Sequence, residues 1–569
     1  MDRRFYFERN LLALSIHDPA LCSRLSGAET TLGRYRFPEA RTGDIVPALV
    51  DLSGEAHPLH SMVDPKREGE RLVSTLNGEG FLIFLGLGGG YAAKAALARA
   101  DVSRALTIEY DINGAAELLC SREYIGLFGD SRFTLLVDPP PEAIAAFILA
   151  HYRPALAGGI KTFPLRTRTE RDIPRFTAAA EAVQQAIEKV SSDYSVQAHF
   201  GGRWFSNIIH NLKAAETQNR SAPPIREAAI CAAGPSLDEQ LPLLAERRSG
   251  PESANRRPFI ISADTALPAL LKSGLAPDAV VTIDCQHISY YHFIGAFPGD
   301  IPLFLDIASP PLLAGLSRSP FFFSGGHPLA AYISRNWRPF PQIDTSGGNV
   351  THACLSLAEN LGAERITVYG ADFSYSQGRI YARGTYIYPF FERKQTRLAP
   401  LEACRSAFLY RAPFLAPEEG GQSGRYETAA LRFYRLAFEE KAAAMAAEII
   451  PTPGIGVPIL IARRPGPREQ SRTLKLFASG AAITSSAAFL NRYRAAIAAL
   501  PLPGAETGRY LEKLDNDERQ VLTTLLPQTA AVKRRRPDFG LEELIKEVKD
   551  QSVNRIDRVL TSSPQASGR

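Results

Sequence analysis

The region Arg226–Tyr388 alternates short apolar runs with helix-like segments, and this alternation constrains the fold more than any other feature. The run Ala228–Cys231 leads into Gly234, while the runs that end at Ala263 and Ile283 each lead into an aspartate. Strands that alternate with helices favour a mostly parallel sheet with helices packed on its faces. The sequence therefore predicts an α/β fold with a central doubly wound, mostly parallel sheet.

The chain has 569 residues, which is enough for several domains of roughly 100–200 residues each. Similar strand and helix patterns predict an N-terminal Rossmann-like domain at residues 1–160. We predict a helical connector at 161–225, a central nucleotide-binding domain at 226–395 and a helical C-terminal region at 396–569. The tail from Ser562, rich in small and polar residues, is expected to be disordered.

Composition narrows the function classes. The net charge of +5 is small for this length, and the basic run Lys533–Arg536 is interpreted as a solvated loop, so no nucleic-acid partner is expected. The six cysteines are scattered and form no C-x-x-C pair, which argues against a zinc ribbon or a disulfide framework, and no metal site is predicted. The N-terminus lacks an apolar signal core and no apolar run reaches about 18 residues, so we expect a cytoplasmic protein without a membrane span.

A glycine-rich turn, Gly86–Gly90, follows an apolar run, and a second apolar run ends in acids at Glu109 and Asp111. This is the layout of a dinucleotide-binding half, but the glycine spacing only partly matches G-x-G-x-x-G. Two interpretations stay open, a ligand-binding turn and a tight turn in a scaffold. We expect this domain to fold without a cofactor of its own.

Three segments of the central region carry the candidate nucleotide site. In the first, Gly234, Pro235 and Ser236 precede a helix, whose N-terminal amides favour a phosphate. Ser236 is either a helix cap or a phosphate ligand. In the second, Asp264 with Thr265 and, one strand later, Asp284 follow apolar runs, and parallel strands would bring all these residues to one edge of the sheet.

The third segment places a polar, glycine-rich turn before another helix, which is again an anion-binding arrangement; its residues are Ser346, Gly347, Gly348 and Asn349. A further strand ends at Gly370 and Asp372, and Tyr381 and Arg383 follow soon after. A hydroxyl and a guanidinium beside a phosphate site would stabilise a departing phosphate. The alternative is an aromatic-rich loop that only packs.

These motifs resemble the motility-associated factor (Maf) and 6-hydroxymethylpterin pyrophosphokinase MptE-like family. The resemblance rests on Gly234-Pro235-Ser236-Leu237, Asp264-Thr265-Ala266, Pro277-Asp278, Ser346-Gly347-Gly348-Asn349-Val350 and Tyr369-Gly370-Ala371-Asp372-Phe373. In the N-terminal half it rests on Leu59-His60-Ser61, Asp64-Pro65-x-Arg67-Glu68 and the Gly86 turn, so it covers roughly residues 1–390.

The resemblance implies a sialyltransferase-like central domain and an enzyme that moves a nonulosonic acid of the pseudaminic or legionaminic type. The donor would be the CMP-activated sugar acid, and the acceptor Ser or Thr of flagellin. It further implies that Gly234, Ser236 and the Asp264 region hold CMP, with Ser346 and Gly347 near the phosphate or the sugar carboxylate.

One departure from the family concerns the base. Many members have Thr-His where this chain has Ile380-Tyr381, and no histidine follows His352. A tyrosine, with a pKa of about 10, is a poor base at neutral pH and a better phosphate donor. We therefore predict that Asp372, or another acid of the site, takes the acceptor proton. Asp372 is the candidate for the base or for the group that positions the acceptor, with Tyr381 and Arg383 beside the phosphate.

Two other functions stay open. The MptE-like side of the family implies a pyrophosphokinase that moves diphosphate from ATP to 6-hydroxymethylpterin, with Mg²⁺ as its cofactor; the glycosyltransferase interpretation requires no certain cofactor. The third function is a non-catalytic factor that binds flagellin or a nucleotide.

Overall fold

The computed structural model describes residues 3–218, 221–249, 257–295, 297–415, 424–462 and 477–561, so the tail predicted to be disordered lies outside the described residues. The chain forms two compact units. Unit 1 comprises Met1–Gly201 and Ala496–Ser552, and unit 2 comprises Gly202–Ala495 and Val553–Arg569. The domain boundaries proposed from the sequence stay predictions.

The strands are β1 Tyr35–Arg36, β2 Ala48–Val50, β3 Ala56–Pro58, β4 Glu79–Leu85, β5 Arg104–Glu109, β6 Phe133–Val137, β7 Gly159–Pro164, β8 Ser221–Ala222, β9 Glu227–Cys231, β10 Phe259–Ala263, β11 Ala279–Thr282, β12 Leu303–Asp306, β13 Pro320–Phe323, β14 Arg365–Tyr369, β15 Tyr375–Ser376, β16 Arg425–Tyr426, β17 Glu448–Pro451 and β18 Phe477–Ala478. The α-helices are α1 Arg3–Ser15, α2 Pro19–Ser26, α3 Pro65–Val73, α4 Tyr91–Leu97, α5 Ile112–Leu119, α6 Ile125–Phe128, α7 Pro141–His151, α8 Pro154–Ala157, α9 Arg166–Thr169, α10 Ile173–Glu216, α11 Leu237–Ser249, α12 Leu267–Lys272, α13 Pro311–Ala314, α14 Pro328–Asn336, α15 Val350–Asn360, α16 Ile387–Lys394, α17 Leu401–Leu409, α18 Ala429–Ala444, α19 Ser486–Ala499, α20 Tyr510–Lys513, α21 Asn516–Arg535 and α22 Leu541–Thr561.

Unit 1 contains a four-stranded parallel sheet in the order β6-β5-β4-β7 and a small antiparallel sheet, β1-β2-β3. Successive side chains of the central strands are buried on both faces, as Leu82 and Ile83 in β4 and Leu106 in β5 show. Strands buried on both faces need near-continuous apolar runs, which is why the sequence pattern located them.

Unit 2 is built on a seven-stranded sheet in the order β13-β12-β11-β10-β9-β14-β17, and every pairing in it is parallel. Helix α15 packs against β9, β10 and β11. The predicted α/β fold class with a large central parallel sheet is confirmed.

The seventh strand lies within residues 396–569, the region that the sequence predicted to be helical. Helix α18 instead ends at Ala444, and β17 then pairs with β14 through Ile449 and Ile450. Isoleucines favour a pleated, half-buried surface, and here tertiary pairing with β14 outweighs the helix-like composition.

Helices α19 to α22 follow, and α21 begins with a capping box formed by Asp515 and Glu518. The basic run that the sequence placed in a loop instead begins inside this helix, since Lys533 to Arg535 form its last turn. Cations at the carboxyl end of a helix are stabilised by the helix dipole, which accounts for the difference.

Among the residues that the structure describes, no helix is both long enough and apolar enough to cross a membrane.

Candidate functional site

The chain reverses its direction of strand addition between β9 and β14. From β9 the strands β10 to β13 are added on one side, and β14 is then placed on the other side of β9. Ligands of open α/β sheets bind at such a switch point, beyond the carboxyl ends of the strands. The two loops that follow β9 and β14 meet there, because the Gly234 amide donates to the carbonyl of Gly370 at 2.8 Å.

The Gly234–Ser236 turn is packed tightly against the loop after β14. A Cβ at Gly234 would lie well inside van der Waals contact with the Asp372 carboxylate and with the carbonyl of Gly370, so only glycine fits. Pro235 is buried, and the Ser236 amide donates to Asp372 Oδ2 at 2.8 Å. The Ser236 hydroxyl donates to Asp372 Oδ1 and accepts from the Ile455 amide at 2.8 Å. The donors predicted to hold a phosphate are thus engaged by the chain's own carboxylate.

Asp372 is 4% exposed, and both of its carboxylate oxygens accept hydrogen bonds from Ser236. Burial raises the pKa of Asp372, while the hydrogen bonds from Ser236 oppose that shift. A base needs an oxygen that can reach the substrate proton, whereas these oxygens hold the turn. The contacts favour a positioning role, and the catalytic role assigned from the sequence stays a prediction.

Asp264 follows β10 directly and is also fully engaged. Its Oδ1 accepts from the amide of Thr265 at 2.6 Å and from the Thr265 hydroxyl at 3.1 Å, and its Oδ2 accepts from the Thr282 hydroxyl at 2.7 Å. The side chain is 1% exposed. Asp264 therefore fixes the ends of β10 and β11 relative to each other.

Asp284, beyond the end of β11, is the more exposed of the two acids. Its Oδ1 accepts from the Gln286 amide at 2.9 Å. Burial raises the pKa of Asp284, and the nearby negative charge of Asp264 raises it further. A half-buried carboxylate with a raised pKa at a switch point has the properties of a general base.

Three tyrosines, which together we call the aromatic wall, lie within electrostatic range of these acids: Tyr381, Tyr386 and Tyr434. Burial raises the pKa values of all three tyrosines, and the positive charge of Arg411 opposes this rise. The negative charge of Asp284 raises the pKa values of Tyr386 and Tyr434 further. Arg411 is therefore within electrostatic range of all three tyrosines, and Asp284 is within range of Tyr386 and Tyr434.

His292 joins the same wall. Its ring lies edge-on to Tyr386, with the ring centroids 4.5 Å apart. Its Nδ1 is buried and finds no hydrogen-bond partner among the residues that the structure describes. A buried nitrogen without a partner costs stability unless another group satisfies it, which is a reason to expect a ligand atom or water there.

The Ser346–Asn349 loop is prebuilt before α15. Asp344 Oδ1 accepts from the Ser346 amide at 2.9 Å and from the Ser346 hydroxyl at 2.6 Å. Asp344 Oδ2 lies 3.1 Å from His352 Nε2, and Asn349 caps α15 by accepting from the His352 amide at 3.0 Å. The hydrogen bonds from Ser346 and His352 hold the pKa of Asp344 well below its usual range, although burial acts in the opposite direction.

The amino end of α15 differs from that of α11. Within the described part of the chain, the Val350 and Thr351 amides have no acceptor, whereas the turn before α11 is closed by Asp372. Gly348 has a left-handed φ of 69° and lies against Tyr434, whose ring would be 3.0 Å from a Cβ at this position. The open amides therefore lie beside the aromatic wall.

Arg383 lies at the first turn of α11. Its amide donates to Asp238 Oδ1 at 2.8 Å, and its side chain is 81% exposed. The Ala382 amide donates to the carbonyl of Ala233 at 2.8 Å, so this loop runs beside the Gly234 turn. Arg383 and Arg411 are both exposed, and Arg411 is the one whose charge opposes the raised pKa values of the three wall tyrosines.

The structure thus brings the sequence-predicted residues to one edge of the sheet, but these residues differ in whether their polar atoms are already hydrogen-bonded within the chain. Asp264, Ser236 and Asp372 are engaged with neighbours, while Asp284 and the loop before α15 are accessible. The sequence patterns did not predict His292, Arg411 or Tyr434 as residues of this site. The only available signal was the aromatic-rich context of the site tyrosines, since His292 and Arg411 stand in segments without any strand-end pattern.

CMP is the nucleotide that the sequence resemblance implies, and we expect Gly347→Ala to weaken its binding roughly tenfold. A Cβ at this position would overlap the buried ring of His352 and displace the loop before α15. A tenfold change corresponds to about 1.4 kcal/mol. Calorimetric titration with CMP checks this. Gly126→Ala is the matched control, since a Cβ added there would meet no heavy atom within 4 Å. Equal CMP affinity in both variants would exclude the Ser346 loop from the nucleotide site.

Comparison with known proteins gives a family match for the region that holds this site. Residues 203–378 match the model of the family described as 6-hydroxymethylpterin diphosphokinase MptE-like. An uncharacterized protein of Treponema pallidum (strain Nichols) is 36% identical over 154 residues, which are 26% of this chain and 54% of that protein. A second uncharacterized protein of the same organism is 37% identical over 114 residues, 20% of this chain and 51% of that protein. The chain thus spans about half the length of these curated relatives.

A solved structure extends the likeness to the whole chain. The Maf glycosyltransferase from Magnetospirillum magneticum AMB-1 superimposes with a TM-score of 0.56, covering 98% of this chain and 96% of that one, at 14% sequence identity. At this identity the likeness concerns the fold. The resemblance found in the sequence is confirmed: residues 203–378 match the MptE-like family model, and nearly the whole chain shares the fold of the Maf glycosyltransferase.

Proposed function

We propose that the chain is a glycosyltransferase that moves a nonulosonic acid of the pseudaminic or legionaminic type from its CMP donor to Ser or Thr of flagellin. The fold shared with a Maf glycosyltransferase supports the reaction class. The donor and the acceptor protein come from the sequence resemblance, as does the cytoplasmic location.

The observation that carries the proposal is the contrast between two helix ends at one edge of the sheet. The amides of Val350 and Thr351 at the start of α15 have no acceptor among the described residues, whereas the turn before α11 is closed by Asp372. Unpaired amides at a helix N-terminus stabilise negative charge. We therefore place the donor phosphate at α15, with Ser346, Gly347, Gly348 and Asn349 shaping that loop.

The proposed step is a substitution at the anomeric carbon. The acceptor hydroxyl oxygen forms a bond to that carbon, and the bond from the carbon to the phosphate oxygen breaks. CMP leaves with the electron pair, and Asp284 takes the hydroxyl proton. The raised pKa of Asp284 suits this transfer, because it brings the carboxylate's proton affinity closer to neutral pH.

The charge that develops on the departing phosphate is balanced by the α15 amides and by the wall that contains Arg411 and Tyr386. Preorganised donors of this kind are each worth a few kcal/mol in a site of low dielectric. Tyr381, which the sequence placed beside the phosphate, belongs to the same wall, and Arg383 lies at its rim.

The remaining predicted residues stabilise the loops around the site. Asp372 holds the Gly234–Ser236 turn, and Asp264 with Thr265 fixes the end of β10. We propose that they position the CMP moiety at the switch point through these contacts.

The second candidate is transfer of diphosphate from ATP to 6-hydroxymethylpterin, which the family description of residues 203–378 favours. That reaction uses Mg²⁺, which is held in such sites by one or two carboxylates and the substrate phosphates. Both oxygens of Asp264 accept hydrogen bonds from threonines, so Asp284 is the carboxylate that fits this role. Mg²⁺ bound there would neutralise the charge of the phosphates.

CMP is expected to raise the melting temperature of the full chain more than CDP, ATP or GDP at equal concentration. A ligand at about one hundred times its Kd adds about 2.7 kcal/mol to the stability of the state that binds it. Thermal-shift assays with the four nucleotides, with and without Mg²⁺, measure the order. A shift with ATP and Mg²⁺ alone would replace the glycosyltransferase with the pyrophosphokinase.

A further inference from the structure

Unit 1 has a switch point of its own, between β4 and β7. The strands β5 and β6 extend the sheet on one side of β4, and β7 lies on the other, with Leu85 opposite Pro164. A cavity of about 970 Å³ opens at this point. It is lined by α3 and the loop before it, by the Gly86 turn, and by the segment after β7.

Two backbone amides of the glycine turn are already hydrogen-bonded within the chain and are not free to bind a dinucleotide. The Leu87 amide donates to Glu109 Oε2 at 2.9 Å, and the Gly89 amide donates to His60 Nε2 at 2.8 Å. Glu109, the acid at the end of β5, is fully buried and bonded to Arg168 at 2.8 Å. A ligand of this cavity is therefore recognised by other groups than those of a dinucleotide fingerprint.

Those groups are arginines. Arg67 and Arg71 on α3 and Arg166 after β7 line the cavity, are exposed, and form no ion pair or side-chain hydrogen bond with any described residue. Two carboxylates share this lining, and each has one oxygen engaged by a neighbour other than a cleft guanidinium. Asp64 Oδ1 accepts from the Arg67 amide at 2.9 Å, and Glu68 Oε2 accepts from the Ser61 amide at 2.9 Å. The three guanidinium groups pair with neither carboxylate, and arginines outnumber carboxylates by three to two in this lining.

Apolar surface lies beside the arginines. Val63 and Leu72 line the same cavity with 54% and 40% of their surfaces exposed. Cavities of roughly 300–1,000 Å³ with apolar walls and a few polar groups are typical of small-molecule sites. A guanidinium fork matches the geometry of phosphate and of carboxylate oxygens.

We propose that this cavity, the arginine cleft of residues Arg67, Arg71 and Arg166, binds a small molecule that combines an oxyanion, phosphate or carboxylate, with an apolar body. The site is separate from the crevice of unit 2, and the inference does not depend on the glycosyltransferase proposal. The proposed ligand of unit 1 is thus recognised by the arginines and not by the glycine turn.

Hydrogen–deuterium exchange of the full chain tests the proposal, with probes at about 5 mM, a concentration on the order of the Kd of weak anion sites. Inorganic pyrophosphate and citrate are the two probes, and they distinguish phosphate from carboxylate. We expect slower exchange in peptides that cover α3 and the segment after β7. In Arg67→Gln/Arg71→Gln the probe affinity measured by titration should fall by about tenfold or more, as expected when charge-assisted hydrogen bonds are lost.

Arg36→Gln is the control, because Arg36 is an exposed arginine of unit 1 on β1, outside the cleft lining. All three substituted arginines are exposed, so the variants should melt with the wild type. No protection of α3 with either probe, or equal protection in Arg67→Gln/Arg71→Gln, would overturn the proposal. Protection confined to residues 344–352 would assign the anion to unit 2 instead.

Discussion

Asp284→Asn is expected to lower the rate of sugar transfer by about 10²- to 10⁴-fold, the usual contribution of a general base. CMP affinity should stay within about twofold of wild type, because the base acts on the acceptor hydroxyl and not on the nucleotide. Single-turnover transfer to flagellin and calorimetric titration with CMP measure the two quantities.

Two acids serve as comparisons for Asp284. Asp300→Asn changes an exposed carboxylate of the same unit, which pairs with Arg318, and should leave both quantities unchanged. Asp372→Asn should disturb the Ser236 turn and so lower CMP affinity and stability together. Asp372 would be the base if Asp372→Asn lost transfer activity while keeping its CMP affinity and melting temperature, and if Asp284→Asn were fully active.

The pH profile gives a second readout for Asp284. Its ionised form takes the proton, so the rate should fall as pH drops through its raised pKa. Asp264→Asn removes a negative charge that contributes to this shift, so the acid limb should move to lower pH. A limb that stays in place in Asp264→Asn would show that another group controls it.

Arg168→Leu is expected to destabilise unit 1 by about 3–5 kcal/mol, the usual cost of leaving one buried charge without its partner. Arg168 and Glu109 lie 2.8 Å apart with side-chain exposures of 6% and 1%. Glu109 also accepts hydrogen bonds from the amides of Leu87 and Tyr110. An unpaired Glu109 would therefore also disturb the glycine turn that contains Leu87. Urea denaturation, followed by hydrogen–deuterium exchange in peptides that cover β4 and β5, measures the loss of stability.

Arg166→Leu is the matched control for Arg168→Leu, because Arg166 is an exposed arginine of the same short helix, α9. Its unfolding midpoint should stay near that of wild type. Glu109→Gln/Arg168→Leu should recover part of the lost stability, since a neutral amide oxygen can still accept from one backbone amide. Equal midpoints for Arg166→Leu and Arg168→Leu would show that the buried pair is of little importance.

The sheet of unit 2 was predictable because its strands are buried on both faces. Runs such as Ala228–Cys231 are apolar throughout, and each ends in a glycine or an acid that marks the carboxyl edge. Strand β17 was not predictable from its own residues. Its isoleucines follow an alanine-rich helix, and only pairing with the distant strand β14 decides their conformation.

The candidate site was predictable in place but not in detail. The sequence indicated that Ser236, Asp264 and Asp372 would share an edge, yet it did not show that their polar atoms are already bonded within the chain. Whether an acid is free or engaged depends on contacts such as that of Asp372 with Ser236, 136 residues apart. His292 was missed for the same reason, since its proximity to Tyr386 arises only when distant loops fold together.

The proposed reaction is tested most directly by transfer with purified protein to flagellin, with CMP-pseudaminic or CMP-legionaminic acid as the donor and mass spectrometry of the flagellin as the readout. We predict a mass increase of one nonulosonic acid per modified Ser or Thr, lost in Asp284→Asn and retained in Asp300→Asn. The contradicting result is unmodified flagellin with both donors, together with turnover of ATP and 6-hydroxymethylpterin by the same preparation.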